Sequence, residues 1–241
     1  MHRLPAWVGL GSGVLAFTAG TMNVFTLESA LHQAVTHHSG SSSSMMLALS
    51  LGHYGLALRF LAIILAFVAG SVLSGFIIRD YHLRLGRRYG VSLMIESACI
   101  LVAWSLASER PFATQLLLAG ASGLQNAMAT TYSGAVVRTT HLTGIYTDIG
   151  VIVGNRLAGI RSQPGKLRLL AGILASFLLG GLANSLLFPY LGNGVLAIPA
   201  AITGTLGFGY WVYRQLYLKP RGQVADTPAG GLVALQRFHH A

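Results

Sequence analysis

The residues able to do chemistry in this chain are polar side chains set among long apolar runs. Burying such groups in hydrocarbon is costly unless they face a bundle interior or a water-filled path. Asn23, Gln125 and Asn126 lie near the ends of two such runs. Their amides suit binding of a solute; the plainer reading is interhelical hydrogen bonding, worth about 1 kcal/mol or less per contact. Ser39, Gly40 and Ser41, and again Thr143 and Gly144, lead into two short apolar runs. Their hydroxyls are expected to cap a helix start, where free N–H groups and a positive dipole end suit an anion or a carbonyl oxygen.

Of the acidic residues, Glu28, Glu96 and Asp148 lie nearest the apolar runs. Asp148 follows Gly144 by one turn and is the candidate carboxylate on a solute path. Glu96 is either a proton-coupling group or the partner of Arg87 or Arg88. His32, His37, His38, His53 and His141 raise metal binding or proton relay, because neutral imidazole ligates metals and titrates near neutrality. No pair has the i, i+4 spacing with a partner carboxylate that a zinc site uses. No metal site is expected, and His37, His141 and Glu96 are read as relay candidates. The one cysteine, Cys99, sits in an apolar run, so no disulfide framework is available within the chain.

Gly120-Ala121-Ser122-Gly123 is similar to the nucleophile segment of rhomboid proteases. Such a serine needs a general base within hydrogen-bond reach. The chain has no histidine between His141 and His239, so its last apolar run cannot supply one. Gly-x-Ser-x-Gly, a phosphate-binding Lys loop and zinc-protease motifs are all missing. The chain is therefore expected not to be an enzyme and to need no cofactor.

The elements that must carry these residues are membrane helices. Of 241 residues 53% are hydrophobic and only 9% charged, against about 25% charged in a soluble domain. Six runs are long enough for an apolar core that needs roughly 20 residues per span. They cover about 7–27, 56–78, 91–107, 112–129, 167–188 and 194–213. Two shorter runs, at 45–51 and 145–154, read as re-entrant half-helices. With the N-terminus inside and six spans, 14 of the 16 Lys and Arg residues fall on the cytoplasmic side, leaving Arg59 and Arg110 outside. The net charge of +10 is thus topology, and no nucleic-acid partner is expected. The first run reads as a retained helix rather than a cleaved signal. Residues 1–219 form one membrane domain, and 220–241 a cytoplasmic tail.

The halves resemble each other. Gly20-Thr21-Met22-Asn23 precedes Thr36-His37-His38-Ser39-Gly40, as Gly123-Leu124-Gln125-Asn126 precedes Thr140-His141-Leu142-Thr143-Gly144. Each half, about 7–107 and 112–213, reads as span, re-entrant element, span, span. Three spans per half make the second half inverted, a 3+3 plan typical of transporters and some channels.

Gly123-Leu124-Gln125-Asn126-Ala127, then Arg138-Thr139-Thr140-His141-Leu142-Thr143-Gly144 and Thr147-Asp148, resemble the YoaK-like membrane proteins, domain of unknown function 1275. The resemblance covers about residues 7–213. The first-half copy departs from the family pattern, with Asn23 in place of Asp and Ser39-Gly40-Ser41 in place of Thr-Gly-Asn. The resemblance implies a multi-pass protein of the bacterial inner membrane and no settled activity.

The reading is an all-α polytopic bundle of about six transmembrane helices plus two half-helices, with both termini cytoplasmic. Its expected function is transport or export of a small solute by alternating access, at a site of Asn23, Ser39, Gly40, Gln125, Asn126, Thr143, Gly144 and Asp148. A passive small-solute channel and a non-transporting assembly or regulatory protein are the alternatives. The expected partners are the lipid bilayer and the solute, with homo-oligomerisation left open.

Overall fold

A computed structural model describes residues 6–29, 32–78, 88–132, 139–160 and 164–217. The tail from 220, Arg138 of the second-half motif, and the basic residues Arg79, Arg84, Arg87 and Arg161 lie outside these residues. All regular structure among the described residues is helical. Ala and Leu dominate the runs, and a helix satisfies its own backbone polar groups where no water can.

Each of the six long runs becomes one helix: α1 Ala6–Glu28, α3 Tyr54–Ile78, α4 Arg88–Leu106, α5 Pro111–Tyr132, α7 Pro164–Leu191 and α8 Ala197–Tyr217. Pro111 and Pro164 open α5 and α7, at the first-turn position where proline's missing N–H costs nothing. A 3-10 turn at Gly192–Leu196 joins α7 to α8. The two short runs become α2 His38–Ser50 and α6 Leu142–Leu157, of 13 and 16 residues. Both start earlier than their apolar residues, because their Ser- and Thr-bearing leads are already helical.

Four stretches are long and apolar enough to cross a membrane: Val8–Glu28, Tyr54–Ile78, Arg88–Leu106 and the continuous Pro164–Leu216, which holds α7 and α8. α5 falls outside that set because it carries Gln115, Ser122, Gln125 and Asn126. Its polar face is turned inward, with Thr114, Gln115, Ser122 and Gln125 all buried.

Backbones approach closely at glycines. A Cβ on Gly20 of α1 would fall on the Phe177 carbonyl of α7, and one on Gly180 of α7 on the Phe17 carbonyl of α1. The α3–α5 pair has the same contacts: Gly123 meets the Phe67 carbonyl, and Gly70 the Gly120 carbonyl. Thr21 Oγ1 donates to Gly180 O (3.1 Å) across the first pair, and Ser71 Oγ to Gly123 O (3.1 Å) across the second. In the α4–α8 pair Gly90 and Gly207 face each other, and Ser97 Oγ donates to Ala200 O at 2.7 Å. The main apolar core packs Met22, Phe25, Val35, Ile63, Ile100, Leu118 and Leu196 together. The outer face of α3 is left bare: Leu58, Leu65, Val68, Val72 and Phe76 are exposed, as hydrocarbon-facing residues should be.

Candidate solute site

The chain after α1 turns back into the bundle. At the end of α1, the Glu28 carboxylate accepts from Asn184 Nδ2 (2.7 Å) and Ser185 Oγ (2.6 Å) of α7. Val35 is then fully buried in the core, and the Asn23 side chain fixes the next residue. Its Oδ1 accepts from the Thr36 N–H (3.2 Å) and the Thr36 hydroxyl (2.8 Å). Helix α2 begins immediately after, with His37 as N-cap. The His38 ring meets Phe67 of α3 edge to face, with centroids 4.5 Å apart.

The lead into α6 is built likewise. Thr139 and Thr140 are buried, and His141 is the N-cap. A Cβ on Gly144 would strike the His141 imidazole, so glycine at this first-turn position lets the ring fold over the helix start. The expected hydroxyl caps are not formed. Neither α2 nor α6 receives a side-chain cap, because Ser39, Gly40, Ser41, Thr143 and Gly144 lie within the first turns. From there they cannot reach back over the end.

Both helix starts open on one cavity of about 720 Å³. The first half contributes Asn23, Thr36, His37, His38, Ser39 and Phe67; the second contributes Asn126, Thr130, Thr140, His141, Leu142, Thr143 and Phe177. Six of the residues expected from sequence therefore share one wall system: Asn23, Ser39, Asn126, Thr143, His37 and His141. Among the described residues of this lining there is no Lys, Arg, Asp or Glu.

The other expected site residues lie elsewhere. Gln125 is fully buried, and its Nε2 donates to Leu15 O (2.9 Å) and Thr18 Oγ1 (2.6 Å), tying α5 to α1. Gly40 and Gly144 sit in the first turns of α2 and α6 and do not line the cavity. Asp148 faces away, paired with Lys166 of α7 at 3.0 Å with its side chain 47% exposed. Glu96 is sealed inside α4, and neither carboxyl oxygen has a hydrogen-bond partner, so the ion pair with Arg88 is not formed. The described residues hold no cluster of three metal-ligating side chains. Ser122 Oγ is buried without a hydrogen-bond partner. Sequence reasoning missed Thr36, Thr140, Phe67 and Phe177 as lining residues. The threonines stood inside the repeated motif, and the phenylalanines take corresponding places in α3 and α7.

A second hollow of about 550 Å³ runs along α1, α7 and α8, lined by Gly9, Leu10, Val14, Phe17 and Leu169. Its wall is mostly apolar, with Arg168 and Ser176 as its polar members.

Apolar helices with bare outer faces, wrapped around a polar cavity, define a helical membrane protein. The chain belongs to the family of proteins of unknown function DUF1275, whose model matches residues 12–209. Neither the curated proteins nor the solved structures compared with it give a match.

Proposed function

We propose that this protein is a small-solute carrier of the bacterial inner membrane. In this reading α1, α3, α4, α5, α7 and α8 are spans, α2 and α6 are re-entrant half-helices, and two inverted halves rock about the cavity to give alternating access. Both termini are cytoplasmic, as the basic loops require. The solute meets Asn23, Ser39, Asn126 and Thr143, with His37 and His141 beside it as relay candidates. Ser122 has no chemical role, and the protein is not an enzyme.

One observation carries this reading: the cavity is walled by corresponding residues of the two sequence halves, Asn23 with Asn126, Thr36 with Thr140 and His37 with His141. The glycine contacts support the inverted repeat. Positions 17 and 20 of α1 against 177 and 180 of α7 match positions 120 and 123 of α5 against 67 and 70 of α3. The helix ends support it too. α2 and α6 both stop at a glycine with φ +74°, Gly52 and Gly159. In both, the following N–H reaches back five residues, His53 to Ala48 O (2.8 Å) and Ile160 to Asn155 O (2.9 Å).

Thiol labelling tests the reading. In a Cys99→Ser background, Ser39→Cys and Thr143→Cys should each react with a membrane-impermeant maleimide in right-side-out and in inside-out vesicles. Protection of both cysteines in both preparations would remove the cavity as a solute path. Ion-like conductance through an unblocked pore would replace the carrier with a channel.

A further inference from the structure

The cavity wall has a chemical polarity that selects among solutes. Two helix starts open on it, α2 at His37–His38 and α6 at His141–Leu142, and no side chain caps either. The first-turn N–H groups of each are free donors, and each start carries roughly half a positive charge from the helix dipole.

The side chains add to this independently. Thr140 is only 4% exposed and lines the cavity, and its hydroxyl makes no hydrogen bond among the described residues. Asn23 is likewise 4% exposed; its Oδ1 is taken by Thr36, which leaves the amide nitrogen as an unused donor at the cavity. Donors left without a protein partner where they line a cavity mark the place of a ligand acceptor. Among the described residues no carboxylate lines the cavity, and the one on α6, Asp148, is held by Lys166. Phe67 and Phe177 supply apolar surface from α3 and α7.

We propose that the solute is a small organic carboxylate. Its oxygens take the free N–H groups of α2 and α6, the Thr140 hydroxyl and the Asn23 amide, and its apolar part lies against Phe67 and Phe177. The proposal rests on the carrier reading for its transport role, but the binding stands on the cavity alone.

Benzoate, benzamide and benzylammonium share a ring and differ in the head group. Thermal unfolding of the full chain in detergent at pH 7.5 and constant ionic strength should show a saturable rise in Tm with benzoate only. Thr140→Val removes a hydroxyl that makes no hydrogen bond among the described residues, so it should fold normally and weaken benzoate binding by about 10-fold or more. Asp148→Asn should leave binding unchanged. Stabilisation by benzylammonium or benzamide equal to that by benzoate overturns the proposal, as does an undiminished benzoate effect in well-folded Thr140→Val. Benzoate binding without benzoate flux in proteoliposomes overturns the carrier reading alone. Flux of benzylammonium with no benzoate binding overturns the carboxylate alone.

Discussion

Asn23 and Asn126 occupy corresponding places yet bond differently. The Asn23 carbonyl accepts both donors of Thr36, whereas the Asn126 carbonyl oxygen is buried with no partner. Replacing Asn23 by Leu strands two buried donors, each worth about 1–3 kcal/mol when unsatisfied. Asn23→Leu should therefore unfold several degrees below the parent in detergent. Asn126→Leu deletes an oxygen that was already unpaired, so its Tm should match or exceed the parent while solute flux is lost. A large Tm loss in Asn126→Leu would mean its carbonyl bonds something in the membrane that the fold alone does not provide. Asp148 illustrates the opposite lesson. One turn past Gly144 it looked like a pathway group, but the helix turns it outward to Lys166.

Among the elements, the close helix pairs depend on single glycines. In α3–α5 a Cβ at Gly123 would overlap the Phe67 carbonyl, a backbone atom that cannot step aside. Gly75 of α3 has nothing within 4 Å of such a Cβ. Gly123→Ala should therefore abolish a monodisperse peak in size-exclusion chromatography, and Gly20→Ala should do the same through α1–α7. Gly75→Ala should elute as the parent. Equal tolerance of all three would show that these helix pairs are looser than the contacts require. The starts of α2 and α6 teach a related point: a helix start becomes a binding element only where its own side chains leave its donors free.

In the molecule as a whole, polarity is distributed inside out. The exposed surface of α3 is Leu, Val and Phe, while Thr18, Thr36, Gln115, Gln125 and Glu96 are buried. Such a body is stable only where hydrocarbon covers its exterior. In the proposed six-span topology, Arg84→Cys and Arg161→Cys in the Cys99→Ser background label from the cytoplasmic side only. Reaction of the two from opposite sides of the membrane would dismantle the inverted repeat.

The sequence by itself determined the membrane character, because so few charges cannot coat a soluble surface. It also determined the helices, because apolar runs of this length have no other way to satisfy their backbones. Even the motif residues at the cavity were legible, since the same polar letters recur before two short runs. Only the tertiary structure decided which of those letters face one another. Helix rotation turned Gln125 into a brace to α1, sent Asp148 to the surface and enclosed Glu96. Neighbouring residues of a helix point about 100° apart, so composition and spacing cannot say which lines a cavity until the partner helices are in place.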